Sequence, residues 1–129
     1  MLVGRTAIAL ALCLASTGMA NAGMRTCGSQ DPVDTINEMF AALYACWEPP
    51  ANAGGLSMTL TFSLRSNGTI IGKPRQTHAN LGEDDRLNEA FVHSVHAALD
   101  RAMPLPLSKS MGGAIAGRLL APRFVVVDE

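Results

Sequence analysis

The stretch that decides the fold is residues 56–71, which read LSMTLTFSLRSNGTII. In its first nine residues apolar side chains alternate with serine and threonine, a period of two that is typical of a strand with one buried and one solvent-facing side. Asn67-Gly68 follows, and both residues tolerate the positive φ that a tight hairpin turn requires. The pattern predicts a β-hairpin whose second strand covers residues 70–77, where Pro74 indicates a bulge or an outer edge because it has no N–H for the ladder.

An amphipathic helix is predicted on each side of this hairpin. The first begins at Asp31-Pro32, which suit the N-cap and first helical position, and ends before Pro49-Pro50. The second starts among the acidic residues 83–85, which favour a helix N-terminus, and ends near Met103 before Pro104. Apolar residues recur at spacings of three and four in both segments, namely Val33, Ile36, Met39, Phe40, Leu43 and Tyr44 in the first and Leu87, Phe91, Val95, Ala98, Leu99 and Ala102 in the second.

The last part of the chain supplies a third strand. Residues 109–117 are small and glycine-rich and predict a loop with one short turn, whereas residues 123–127, RFVVV, have high β propensity. The predicted fold is therefore α+β, with two helices packed on one face of a three-stranded antiparallel sheet in the order helix, hairpin, helix, strand. The expected core contains Leu60, Phe62, Ile70, Phe91, Val95 and Leu99.

Residues 1–22 have the pattern of an export signal. Arg5 supplies a positive charge, residues 7–15 form an apolar run, and Ala20-Asn21-Ala22 places small residues where signal peptidase cleaves. We expect cleavage before Gly23, which leaves residues 23–129 as one domain in the periplasm.

No stable membrane anchor is expected. The apolar run in the signal is about half of the roughly 20 residues that a membrane-spanning helix requires. Lipoprotein processing at Cys13 is disfavoured because Leu12 stands where a small residue is expected.

Export would place Cys27 and Cys46 in an oxidising compartment, where an even pair of cysteines in a small domain usually forms a disulfide. The alternatives are a bridge between two chains or unpaired thiols. A zinc site is disfavoured because the two cysteines do not belong to a CxxC pair.

The composition argues against a nucleic-acid partner. The formal net charge is −1, aromatic residues make up 5% of the chain, and lysine and arginine form no cluster. Such a chain lacks both the electrostatic footprint and the stacking platforms of a nucleic-acid-binding protein.

The order of elements and several short motifs carry a resemblance to a known family. Residues 43–50 read LYACWEPP, so that the first helix ends in Cys-Trp and a double proline before the hairpin. Gly72-Lys73-Pro74 and Pro104-Leu105-Pro106 complete the pattern. Over roughly residues 33–127 the chain resembles the periplasmic C-terminal domain of the energy-transducing proteins TonB and TolA, and the TolA form more closely.

This resemblance implies a protein-binding surface. Proteins of the TonB and TolA family also carry a transmembrane helix and a long periplasmic spacer, for which this sequence has no counterpart. We therefore expect the family's fold and its partner-binding surface without force transduction.

The final strand is the predicted docking site. No later element can pair with its far side, and an unpaired strand edge presents N–H and C=O groups that an extended peptide can join. The resemblance also implies that an envelope or outer-membrane protein supplies this segment; a homodimer through the same edge is an alternative. If instead Phe124 and Val126 only fill the core, Asp128 and Glu129 would protect the edge by charge. The predicted partner-binding residues are Arg123, Phe124, Val125, Val126 and Val127.

No catalytic constellation, metal site or cofactor site is predicted. His93 and His96 lie opposite the apolar stripe of the second helix, where Glu89 with His93 and His96 with Asp100 are predicted i,i+4 pairs on a solvated face. The serines do not fall in a Gly-x-Ser-x-Gly elbow, and the glycines form no phosphate-binding motif. We predict a protein without enzymatic activity; the alternative is a small periplasmic metal-binding or hydrolytic protein that uses His93 and His96.

Overall fold

The computed structural model describes residues 25–128, so the predicted signal peptide, 1–22, lies outside the described residues. The strands form one antiparallel sheet in the order β2-β1-β3. The predicted α+β class is therefore confirmed. No helix within residues 25–128 is both long and apolar enough to cross a membrane. The elements in chain order are α1 (Ile36–Ala45), β1 (Ser57–Leu64), β2 (Ile70–Asn80), α2 (Asp85–Ala102), α3 (Lys109–Ile115) and β3 (Arg123–Val125).

The β1–β2 hairpin forms where the alternation of side chains predicts it. Gly68 has φ +86° in the turn, and the side-chain oxygen of Asn67 accepts hydrogen bonds from both the N–H and the hydroxyl of Thr69. β2 continues to Asn80, three residues beyond the predicted end. Its register against β1 shifts where Pro74 lies, so that the proline occupies both a bulge and an edge strand, as predicted.

α1 begins later than predicted, which corrects the cap assigned to Asp31-Pro32. The N-cap is Thr35, whose hydroxyl accepts from the N–H of Glu38, while the Glu38 carboxylate accepts from the N–H of Asp34. Val33 lies before this cap in an extended segment, where its N–H donates to the carbonyl of Pro106. Thr35 and Glu38 match the Thr-x-x-Glu pattern of a capping box, but the prediction placed the helix start at Asp31-Pro32 instead.

α3 is a second correction, because residues 109–115 form a helix where a loop is predicted. Ser108 caps it by accepting from the N–H of Met111. Met111 and Ile115 are buried, and a side chain at Gly112 would collide with the carbonyl oxygen of Ser66. Tertiary packing thus stabilises a helix that two consecutive glycines disfavour.

The core draws on both long helices and on one set of alternate side chains of β1. Of the six residues predicted for it, Leu60, Phe62, Phe91, Val95 and Leu99 are buried, and Ile70 is partly buried against them. Trp47 packs edge-on against Phe91 and Phe124, and its indole N–H donates to the hydroxyl of Ser94 over 3.0 Å.

The disulfide between Cys27 and Cys46 is present, with 4.7 Å between the two Cα atoms. Cys46 is the buried C-cap of α1, whereas Cys27 belongs to the exposed N-terminal segment. The bridge therefore ties that segment to the end of the helix, as predicted.

Candidate functional site

The outer edge of β3, called here the β3 edge, is defined by which backbone groups bond to β1. Leu120 exchanges hydrogen bonds with Phe62, the carbonyl of Pro122 accepts from the N–H of Leu60, and the N–H of Val126 donates to Leu56. In an antiparallel pair, every second residue directs its N–H and C=O toward the partner strand. The residues between them, Arg123 and Val125, therefore direct their backbone groups away from β1.

Tyr44 occupies one position of the β3 edge. Its hydroxyl donates to the outward-facing carbonyl of Arg123 over 2.8 Å, and its ring lies edge-on to Phe124 with 5.2 Å between centroids. Burial raises the pKa of the Tyr44 phenol above its ordinary value. The sequence places Tyr44 only in the apolar stripe of the first helix, because spacing along a helix does not show which strand the side chain meets.

The predicted partner-binding residues divide into two sets in the structure. The side chains of Phe124 and Val126 lie in or against the core. Arg123 is exposed, as are Val125 and Val127, whose residues expose 41% and 76% of their full surface. β3 ends at Val125 rather than Val127, although the N–H of Val126 still donates to Leu56.

The Asp128 carboxylate lies beside Gly54 and Gly55, where a Cβ on either glycine would meet it.

The side chains that β1 directs away from the core, with their neighbours on β2 and β3, form a surface called here the outer sheet face. Thr59 lies opposite His78 on one side and Arg123 on the other, and Thr61 lies opposite Arg75. Two shallow depressions of about 90 and 400 Å³ lie on this face, and Lys73 lines the larger one. The sequence alone does not reveal this face, because the register of the strands determines which of their cationic side chains are neighbours.

The predicted ion pairs on α2 are not formed, which is a correction. The structure joins neither Glu89 to His93 nor His96 to Asp100; the ion pair that it holds within residues 25–128 is Arg101 to Glu48, at 3.3 Å. These side chains are exposed or half-buried, so water satisfies them.

A shallow depression of about 480 Å³ lies over α2 and is lined by Leu81, Asn88, Glu89, Val92, His93 and His96. In the described part of the chain, no three His, Cys, Asp or Glu side chains are grouped so as to hold a metal ion. Cys27 and Cys46 are bonded to each other, so neither is a free nucleophile.

Comparisons with known proteins give one family. No curated protein matches the chain, and no solved structure does. A family model described as "Uncharacterised conserved protein UCP034077" matches residues 29–128, which include every helix and strand of the structure. Because this match covers most of the sequence, the chain belongs to the family described as Uncharacterised conserved protein UCP034077.

Proposed function

We propose that the protein is a periplasmic protein-binding module of the cell envelope that receives an extended segment of an envelope or outer-membrane protein at the β3 edge. In this proposal residues 1–22 are removed on export, and the domain resembles the distal domain of TonB and TolA. The helices α1 and α2 cover one face of the sheet, and the outward-facing backbone of Val125 at the β3 edge stays available for binding. The disulfide between Cys27 and Cys46 supports the proposed compartment, because such bridges persist in oxidising surroundings.

The observation that carries this proposal is the outward direction of the Val125 backbone. Its N–H and C=O face away from β1, and no described residue bonds to them. Strand addition uses such groups for affinity, because each main-chain hydrogen bond forms whatever side chain the partner presents.

The other edge of the sheet is less suited to strand addition. β2 has two register shifts against β1 and contains Gly72, Lys73 and Pro74 in succession. Bulges, lysine and proline are devices by which edge strands avoid pairing. The β3 edge has a regular register with β1 over residues 123–125, so it offers the better template.

Tyr44 limits where a partner strand lies. Since its hydroxyl already donates to the carbonyl of Arg123, Val125 is the first position of the β3 edge at which both the N–H and the C=O lack a partner among the described residues. We therefore expect the partner strand to pair with Val125 and the residues after it.

The test compares two substitutions of Val125 in a mature domain, residues 23–129, used as bait in envelope extract. Val125→Pro removes the outward N–H, whereas Val125→Thr keeps it in another β-branched residue. Because this N–H does not bond to β1, we expect the proline variant to keep the sheet, which circular dichroism checks first.

We expect the threonine variant to capture the same proteins as the wild type and the proline variant to lose most of them, as quantified by mass spectrometry. Sedimentation velocity of the bait alone reveals a homodimer through the same edge. If the folded proline variant retains the full capture of the threonine variant, docking at the β3 edge is wrong.

A further inference from the structure

The outer sheet face carries exposed aliphatic side chains, whereas the solvated face of an antiparallel sheet ordinarily carries polar ones. Residues 119–127 run along β1, and their side chains alternate between exposed positions and buried or half-buried ones. Leu119 is 75% exposed and Val125 is 41% exposed, while Ile71 of β2, which lies opposite Ser63, is 42% exposed. The segment is therefore largely apolar on both of its faces, although only one face lies against the core.

The same face carries positive charge that is not neutralised locally. Lys73 and Arg75 lie on β2, and Arg123 lies on β3 at the other side of β1. Within the described chain, no carboxylate lies within ion-pair distance of these three cations. The sequence has no acidic residue from position 49 to 82 or from 101 to 127, ranges that contain all three strands. Although the formal net charge of the chain is −1, the outer sheet face is therefore cationic, and the fields of its cations add.

The larger depression on this face brings the two kinds of side chain together. It is lined by two aliphatic and two cationic side chains, Ile71, Leu119, Lys73 and Arg75. The hydroxyl of Thr61, a residue that is only 8% exposed, already shares a hydrogen bond with that of Thr77. Recognition at this depression therefore depends on charge and apolar contact rather than on a directed pattern of hydrogen bonds.

The spread of these groups over the sheet fits a flat occupant. In the order β2-β1-β3 the cations of β2 and the cation of β3 are two strand spacings apart, about 10 Å. A peptide added parallel to the strands reaches only one of these two sets. A bilayer surface meets all three strands at once, because its anionic headgroups attract the cations and its acyl region accepts a protruding side chain such as Leu119.

We propose that the outer sheet face binds reversibly to the surface of a bilayer that contains anionic phospholipid, with Lys73, Arg75 and Arg123 at the headgroups and Leu119 and Ile71 inserted beneath them. The inference does not rest on the proposed function, because it uses side chains on a face of the sheet rather than the backbone of the β3 edge. Such adsorption needs no membrane-spanning helix, since its strength comes from buried apolar area and attraction to anionic lipid.

The first measurement is co-flotation of the mature domain, residues 23–129, with lipid vesicles. The mature domain is used because the apolar run in residues 7–15 would itself partition into a bilayer. Vesicles of phosphatidylcholine alone are compared with vesicles in which part of it is replaced by phosphatidylglycerol. We expect the domain to float only with the anionic vesicles, and the bound fraction to fall as salt is added.

Charge-removing variants locate the binding face. Lys73→Gln with Arg75→Gln should lower the partition coefficient on anionic vesicles by about tenfold or more, because each basic residue near such a surface adds attraction. The matched control, Arg86→Gln with Arg101→Gln, removes the same charge from α2, and neither of its residues lines a depression on the outer sheet face. We expect the control to change the partition coefficient less than about twofold. Circular dichroism first confirms that both variants are folded.

A tryptophan at position 119 tests insertion directly. The indole emission of Leu119→Trp should shift to shorter wavelength on addition of anionic vesicles, because the ring leaves water for the bilayer interface. The matched control is Leu81→Trp, since Leu81 is 38% exposed and lines the depression over α2. Trp47 gives both variants the same background because it packs against the core. We expect no shift in the control.

Several outcomes would overturn membrane binding. They are no binding to either kind of vesicle, equal binding to both, equal losses in the two charge-removing variants, and an unshifted emission of Leu119→Trp. Binding of a soluble peptide that alternates glutamate with threonine, dependent on Lys73 and Arg75 and without binding to vesicles, would show that an acidic protein segment occupies this face instead. A homodimer in sedimentation velocity that Leu119→Ser dissociates would likewise reject the inference. The comparison of Val125→Pro with Val125→Thr tests only the β3 edge, so the two proposals fail separately.

Discussion

One face of β1 carries apolar side chains that pack in the core, and the other face carries serine and threonine side chains. Leu60 and Phe62 are buried in a core that they share with residues of α1 and α2. Thr59 and Thr61, on the opposite face, lie between the side chains of the flanking strands. β1 thus contributes apolar side chains to the core on one face, and on the other face it lies between the cationic side chains of β2 and β3.

This difference indicates where the sequence is constrained by stability and where it is free to serve binding. A buried apolar side chain contributes through the area it removes from water, and its loss leaves a cavity. An exposed cation contributes little to stability because water and salt screen its interactions. Substitutions on the two faces should therefore differ sharply in their effect on unfolding.

The largest effect is expected at Phe62. Phe62→Ala should lower the free energy of unfolding by about 3–5 kcal/mol, because it removes a buried ring from the core face of β1. The control is Ser63→Ala on the other face, which should change it by less than about 0.5 kcal/mol. Thermal unfolding measures both, and an unchanged midpoint for Phe62→Ala would contradict its placement in the core.

The next effect is expected at the bridge that closes the N-terminal segment onto α1. Its sequence separation of 19 residues predicts that replacing both Cys27 and Cys46 by alanine costs about 3 kcal/mol in a chain-entropy account. Urea unfolding of this variant and of the reduced wild type should give similar losses. Mass spectrometry of the native protein should find both thiols oxidised, and labelling of two free thiols in the native state would contradict the bridge.

Two glycines of the hairpin, Gly68 and Gly72, differ in the space available for a side chain. Both have positive φ, +86° at Gly68 and +71° at Gly72. A Cβ at Gly68 would collide with the backbone of Leu105, whereas open space surrounds Gly72. We expect Gly72→Ala to cost about 1 kcal/mol from backbone strain and Gly68→Ala about 2–3 kcal/mol, because the Leu105 backbone must also move.

Equal losses at Gly68 and Gly72 would show that the contact with Leu105 is not tight. Urea unfolding of the two alanine variants, with the same slope against urea concentration, makes this comparison.

The smallest effect is expected on the outer sheet face. Thr61→Val keeps the β-branched shape but removes the hydrogen bond to Thr77, which should cost about 1 kcal/mol. A double-mutant cycle with Thr77→Val isolates the pairwise energy. A coupling near zero would mean that water replaces the bond at no cost.

Much of the fold follows from short sequence patterns that favour the same local structure wherever they occur. Alternation along residues 56–64, the Asn67-Gly68 turn and the stripe of α2 predicted a hairpin and a helix that the structure contains. Errors occurred where two local signals competed. Asp31-Pro32 and the Thr35 capping box both suit a helix start, and the choice between them depends on the pairing of Val33 with the segment at residues 106–108.

The sequence predicted less of the candidate site than of the fold. The final strand was predicted, and so were the residues at its edge. Which of their backbone groups face outward, and that Tyr44 occupies one of them, depends on contacts between segments far apart in the chain.

By itself the sequence determined the α+β class and most apolar residues of the core, because propensity and periodicity act through near neighbours. Of its three cysteines, Cys13 falls in the predicted signal, which leaves Cys27 and Cys46 as the expected disulfide pair. Only the tertiary structure decided that residues 109–115 are helical, that Val125 presents its backbone outward, and that Arg75 and Arg123 share a face. Each of these depends on strand register or on burial against distant segments, and a shift of register by one residue would move every side chain to the other face. The physical reason is that such contacts are set by how the whole chain packs, which no local stretch of sequence encodes.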